Sequence, residues 1–392
     1  MDYGKMLNRR VAAVPPSGIR RFFDIVSEMK DVVSLGVGEP DFRTPWTYSD
    51  AAIYSLRQGR THYTSNWGLP ELRRLIAEYE EARFGVSYQP EKEILVTVGA
   101  SEGIDLALRA LVEPGDEVLV PNPSYVSYAP GVAFAGGTCV ALPTRAEDGF
   151  KVTAETLRAA ITPRTKALIL PYPNNPTGGI MGRADLEAVA GVLRDTNIAV
   201  ISDEIYAELT YGEARHISFA SIPGMWDRTI TLNGFSKAFA MTGWRLGYAC
   251  GPNELLSVMV KIHQYTIMCA PTAGQYAAVE ALRFGLENDF ADVRRMVDAY
   301  DRRRHLIVQG LREAGLPCHE PLGAFYAFPS VKETGLSSEE FCEKLLWDQR
   351  VAAVPGNAFG ELGEGHIRCS YAASNENILE AVRRIGEFVA KL

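Results

Sequence analysis

A chain of 392 residues, 47% hydrophobic and 22% charged, has the composition of an ordinary folded protein with room for one large core and a smaller one. That excludes a peptide-sized module and a disordered chain. Forty Lys and Arg against 48 Asp and Glu leave a net charge of −8 with the two signs interleaved, so neither nucleic acid nor an anionic membrane is indicated as a partner, and small-molecule chemistry remains.

From Met1 to Val14 the chain carries Lys5, Arg9 and Arg10 but no apolar segment of signal-peptide length. No stretch approaches the ~18 uninterrupted apolar residues of a membrane span, so a cytoplasmic protein is expected. Short β-rich runs then alternate with helical patterns. Ile94–Val98 reads as a strand followed by a helix from Gly99 to about Val112, and Glu117–Pro121 as a strand before a Pro-rich turn. Ala167–Leu170 leads into Pro171–Gly179 and a helix from Arg183, Ile198–Ile201 stops before Asp203, and Thr229–Leu232 stops before Asn233–Lys237. This alternation predicts an α/β fold with a mostly parallel sheet covered by helices, in which ligands sit beyond the carboxyl ends of the strands.

A long amphipathic helix is predicted from about Asn288 to Ala314, with Val293, Met296, Val297, Tyr300, Ile307 and Leu311 inward and Arg302–Arg304 on a solvated face. Strands near Ala324–Phe328, Val351–Val354 and His366–Ser370 follow. The expected division is a large α/β domain over 46–287 and a small α+β domain built from 1–45 and 288–392.

The polar residues just past the strand ends are the ones with chemical potential. Lys237, in Asn233-Gly-Phe-Ser-Lys, stands where an amine could be desolvated and made nucleophilic toward a carbonyl. Asp203 could pair with a protonated ring nitrogen, and Tyr206 would lie beside the same ligand. Gly99-Ala-Ser-Glu-Gly opens a helix, so its backbone N–H groups and the Ser101 hydroxyl could bind a phosphate, with Arg245 adding a fixed positive charge. Asn174-Asn-Pro-Thr-Gly, Gly36-Val-Gly-Glu-Pro-Asp, Tyr63-Thr-Ser-Asn-Trp-Gly and Arg368 in His-Ile-Arg-Cys-Ser complete the set.

In this order and spacing the motifs resemble the class I/II aminotransferases, fold type I enzymes that use pyridoxal 5′-phosphate (PLP). The resemblance implies a role for each matching position. Lys237 would form the internal Schiff base and shuttle a proton, Asp203 would keep the pyridine nitrogen protonated, and Asn175 and Tyr206 would bond the 3′-oxygen. Tyr125 would stack on the ring, while the amides of Ala100 and Ser101, the Ser236 hydroxyl and Arg245 would bind the phosphate. Arg368 would grip the substrate α-carboxylate, assisted by Asn175 and the Gly38 backbone. Tyr63 would reach the phosphate of a neighbouring subunit, which implies a homodimer.

Two positions depart from the family pattern. Gly234 stands where many relatives carry a Ser or Thr, so one phosphate hydroxyl is missing. Ser101 stands where one bacterial group of aspartate aminotransferases has a lysine for the distal carboxylate. The motif around Lys237 resembles the branch with aromatic, alanine and acetyl-diaminopimelate aminotransferases. Ile19, Tyr63, Trp67 and Tyr125 suggest an apolar or aromatic-tolerant pocket.

The expected reaction is transfer of the α-amino group of an L-amino acid to a 2-oxo acid, with 2-oxoglutarate as acceptor, by a ping-pong cycle. The alternatives on the same scaffold are a PLP-dependent β- or γ-lyase or synthase and, further off, a PLP-binding regulator. The six cysteines lie far apart without metal-ligand spacing, and His62, His263, His305 and His366 form no readable triad, so all are read as packing residues.

Overall fold

The computed structural model describes residues 1, 3–16, 18, 29 and 31–392. Its strands, in chain order, are β1 (Val33–Ser34), β2 (Ile94–Thr97), β3 (Glu117–Asn122), β4 (Thr138–Pro143), β5 (Thr165–Leu170), β6 (Ala199–Asp203), β7 (Thr229–Gly234), β8 (Gly247–Cys250), β9 (Tyr326–Ala327), β10 (Val351–Ala352), β11 (Val354–Pro355) and β12 (Ile367–Ser370). Seven of them form one sheet in the order β2-β8-β7-β6-β5-β3-β4, parallel throughout except for β8, which runs against both neighbours.

The inner strands β3, β5, β6 and β7 are largely buried on both faces, which is why they read as continuous apolar runs instead of alternating ones. On one face the helix Gly99–Leu111 packs Ile104, Ala107 and Leu108 onto Ile169, Ile201 and Leu232. On the other the helix Arg183–Leu193 packs Leu186, Val189 and Leu193 onto Leu168, Leu170 and Val200. Each Ile, Leu and Val among them contributes roughly 1.5–3 kcal/mol by leaving water. Two strands of this sheet escaped the sequence reading. β4 is the sheet edge and is partly exposed, and β8 (Gly-Tyr-Ala-Cys) has too few large apolar residues to give a pattern.

Because β2, β3, β5, β6 and β7 point the same way, their carboxyl ends share one edge. That edge carries Gly99, Tyr125, Asn175, Asp203 and Lys237.

The C-terminal third builds a second core around the helix Ala291–Glu313, with Tyr300, Ile307 and Leu311 against Phe325, Phe341, Leu345 and Ile385. Here β11-β12-β9 form an antiparallel sheet, and β1 pairs with β10 in parallel, tying residues 33–34 to 351–352. The expected strand Val351–Val354 is divided at Ala353, so that its halves pair with different partners. The reading of Arg302–Arg304 as a solvated face is corrected: Arg302 is exposed, but Arg304 is buried, bonded to Asp301 and Glu320 and lying over the Tyr211 ring. Helical period places position 304 with the core positions 300, 307 and 311.

Gly234 explains its own departure from the family pattern. It pairs with Gly247 across β7 and β8, and a Cβ there would lie 2.7 Å from the Gly247 Cα and 3.0 Å from the Leu246 carbonyl oxygen. Gly234→Ser would have to displace backbone. It is expected to lower stability by about 1–3 kcal/mol in urea unfolding and to weaken cofactor binding; unchanged stability with tighter binding would contradict this packing argument.

Candidate active site

A cleft of about 2040 Å³ opens over the common edge of the strands. Its walls include Gly38, Ala100, Ser101, Tyr125, Asn175, Asp203, Tyr206, Ser236, Lys237, Arg245 and Arg368. These residues are far apart in sequence and meet because the parallel strands deliver them to one edge, while β12 brings Arg368 across from the second core.

Lys237 follows β7, and its Nζ donates to the Gly38 carbonyl oxygen at 2.7 Å. Burial pulls its amine down to about 8; Glu39 and Asp203 oppose the shift, and Arg368 and Arg245 add to it. Near pH 8 about half of the amine is therefore neutral, whereas an ordinary lysine is almost wholly charged there.

Asp203 ends β6 and is pushed up to about 6 by burial, with hydrogen bonds from Tyr128 and from the Ile205 N–H acting against the shift. The Tyr128 hydroxyl donates to Oδ2 at 2.8 Å and the Ile205 N–H to Oδ1 at 3.2 Å.

Arg368 is 2% exposed. Nη1 donates to Asn175 Oδ1 at 3.0 Å and Nη2 to the Gly36 carbonyl oxygen at 2.6 Å, while Nε has no partner among the described residues. The guanidinium lies 4.5 Å from the Tyr326 ring centroid and 4.8 Å from that of Phe359. A buried cation with a donor to spare is suited to a carboxylate.

The fourth feature is an anion cradle. Gly99, at φ 71°, turns the chain from β2 into the helix Gly99–Leu111, whose first N–H groups have no partner within the helix. A Cβ on Gly99 would lie 2.7 Å from Arg245 Nη2, and one on Gly247 would lie 2.5 Å from the Ala100 amide nitrogen. The cradle therefore exists only because both positions are glycine. Arg245 itself adopts φ 53°, a strained conformation for a side-chain-bearing residue, and Nη1 donates to the Thr242 carbonyl oxygen at 3.1 Å.

One expected residue is not brought in. Tyr63 is 78% exposed and does not line the cleft of its own chain. Trp67 is half-buried against the core beside β2, and Ile19 lies outside the described residues. Two residues missed in the sequence line the cleft: Tyr128, three positions after Tyr125, and Tyr326, whose hydroxyl is 2.9 Å from that of Tyr206. Tyr128 gave a weak signal, since a single turn separates it from Tyr125 and places it near the same wall. Tyr326 gave none, because it reads as one more apolar residue of a strand.

Comparisons with known proteins identify the family. The model of the family "Aminotransferase class I and II" matches residues 30–385. The chain belongs to the class I and II aminotransferases. The protein YugH of Bacillus subtilis (strain 168) is 51% identical to it over 385 residues, covering 98% of each chain. The aspartate aminotransferase of Pyrococcus abyssi is 47% identical over 379 residues, covering 97% of each. The solved structure of the aromatic aminotransferase from Pyrococcus horikoshii OT3 superposes with a TM-score of 0.90 at 45% identity, covering 94% of this chain and 99% of that one.

The enzyme is thus a PLP-dependent aminotransferase acting on amino acids and 2-oxo acids. Its residues fit the cofactor: an anion cradle, an aromatic wall, a buried carboxylate and an amine shifted toward neutrality face one cleft. Among the described residues no cluster could hold a metal ion, and no helix is long and apolar enough to cross a membrane.

Tyr128→Phe removes a hydrogen bond to an ionised group, worth about 1.5–3 kcal/mol. That bond favours the carboxylate, so its loss raises the Asp203 pKa further, and the acid limb of the kcat/KM profile of the aminotransferase should move to higher pH. An unmoved limb would show that Tyr128 does not tune Asp203.

Proposed function

We propose that the enzyme moves the α-amino group of an L-amino acid to 2-oxoglutarate in a ping-pong exchange, the oxo acid made from the donor leaving before the acceptor binds. The observation that carries this reading is a single cleft holding a half-buried amine shifted toward neutrality, a buried carboxylate and a buried guanidinium whose Nε has no partner among the described residues. When bound, PLP supplies an electron-accepting ring conjugated to the substrate Cα.

The amides of Ala100 and Ser101, the Ser236 hydroxyl and the Arg245 guanidinium would hold the phosphate, and Tyr125 would cover the ring. Asp203 would pair with the ring nitrogen, Asn175 and Tyr206 with the 3′-oxygen, and Lys237 would hold the aldehyde carbon. Arg368 grips the α-carboxylate as a bidentate pair, with Asn175 and the Gly38 backbone assisting, and so orients the Cα–H bond toward Lys237. The neutral Lys237 amine takes the proton from Cα.

Residues 46–287 would act as a large unit carrying Lys237, and residues 1–45 and 288–392 as a small one carrying Arg368. The exposure of Tyr63 at 78%, with Tyr265 at 87% and Trp46 at 71%, supports a homodimer in which Tyr63 reaches the neighbouring subunit's phosphate. Six cysteines without a disulfide suit the cytoplasm.

The test is an absorption titration of the PLP-loaded enzyme with aspartate, alanine, aromatic and other amino acids in the absence of an acceptor. The visible cofactor band should be lost with a true donor and restored by 2-oxoglutarate, and Lys237→Ala should show no exchange. Unaided recovery of the band while oxo acid and ammonia accumulate would make the enzyme a lyase.

A further inference from the structure

Behind the anion cradle a buried histidine meets a partly buried glutamate, a pair that the proposed chemistry does not use. Glu102, one residue after Ser101, accepts the Val98 N–H at Oε2 (2.5 Å) and meets His263 Nδ1 at Oε1 (2.7 Å). His263 sits on the helix Asn253–Thr266, has no exposed surface, and its Nε2 has no partner among the described residues. Burying an imidazole with one nitrogen unsatisfied costs free energy, which ordinary core packing could avoid with an apolar residue.

The turn beside it needs outside support. Val98 is the N-cap of the helix Gly99–Leu111 and has no side chain able to cap it, and Gly99 is the least restrained residue the turn could carry. Glu102 ties the turn from the other side, accepting the N-cap N–H of Val98 as the acidic residue of a capping box does. A glutamate alone would be free to swing out. His263 fixes the far side of its carboxylate to a second helix, so the strand-to-helix turn is braced from outside the turn itself.

We propose that Glu102 and His263 are positioning residues for the cofactor phosphate: they hold the Ala100 and Ser101 N–H groups converged on the cradle without touching the anion. This rests on the reading of Ala100, Ser101 and Arg245 as the phosphate site. It assigns His263 a function where the sequence suggested only packing.

The experiment compares dissociation constants of the cofactor-free enzyme for PLP and for pyridoxal, which lacks only the phosphate. Wild type, His263→Leu, Glu102→Ala, Glu102→Gln and Arg245→Ala are measured by absorption. His263→Leu and Glu102→Ala should raise the PLP constant about tenfold, the loss expected for a hydrogen bond to a charged group, and leave the pyridoxal constant within about twofold. Glu102→Gln, which keeps an acceptor for the Val98 N–H, should recover most of the PLP affinity. Equal weakening of both ligands, or no change in either, overturns the proposal, and Glu102→Ala decides the matter should His263→Leu fail to fold. If Arg245→Ala also fails to separate PLP from pyridoxal, the phosphate site itself is misplaced. If Arg245→Ala separates them and both pair variants do not, only the bracing role is wrong.

Discussion

Burial of opposite charges at the carboxyl edge of the parallel sheet is the constraint on which the rest of the site depends. A carboxylate and an amine removed from water lose hydration that the protein must replace. Asp203 is compensated by the Tyr128 hydroxyl and a backbone N–H, Lys237 by the Gly38 carbonyl oxygen, and Arg368 by Asn175, the Gly36 carbonyl oxygen and two aromatic faces. The compensation is incomplete, and the remainder appears as chemistry. The amine is drawn toward neutrality, the carboxylate toward protonation, and Arg368 keeps a donor for a ligand.

The sheet supplies the rigidity that this arrangement requires. Further buried acids support the strands that carry the site. Glu204, adjacent to Asp203, is fully buried and accepts from the Ser202 and Ser218 hydroxyls and the Phe219 N–H, with His216 Nε2 2.7 Å away. Glu80 accepts from the Tyr248 hydroxyl at 2.6 Å and is pushed up to about 8 by burial and by the charge of Glu204. Glu80 joins β8 and, through the Asn233 amide, β7 to the helix Pro70–Phe84, and Glu204 joins the end of β6 to residues 216–219, so the strand ends carrying Asp203 and the start of the Lys237 segment are held by directional bonds as well as by apolar packing. Glycine has the opposite use. Gly99, Gly234 and Gly247 let two strands and a helix terminus approach more closely than any side chain permits.

Much of this was legible before the structure. Five of the six parallel strands are largely buried, so their apolar runs stood out; the motifs after them named Asp203, Lys237 and Asn175 as residues to inspect, and a late strand motif named Arg368. What the sequence hid were features whose cause lies elsewhere in the chain. β8 exists because β2 and β7 leave room for a strand of small residues, and Arg304 is buried because Asp301, Glu320 and the Tyr211 ring meet it. Tyr128, Tyr326 and His263 are three more cases. Each is an ordinary core residue by local pattern, and each gains a role only from one partner far away in sequence.

The sequence by itself determined the strand-helix alternation, the chemistry-bearing side chains and their family, because periodicity and residue type are local properties. Only the tertiary structure decided that eleven of the twelve expected site residues line one cleft while Tyr63 stands apart from it, how far Lys237 and Asp203 shift from ordinary behaviour, and why position 234 must be glycine. Desolvation, Coulomb fields and steric approach depend on distances between segments up to hundreds of residues apart, and those distances exist only once the chain is folded.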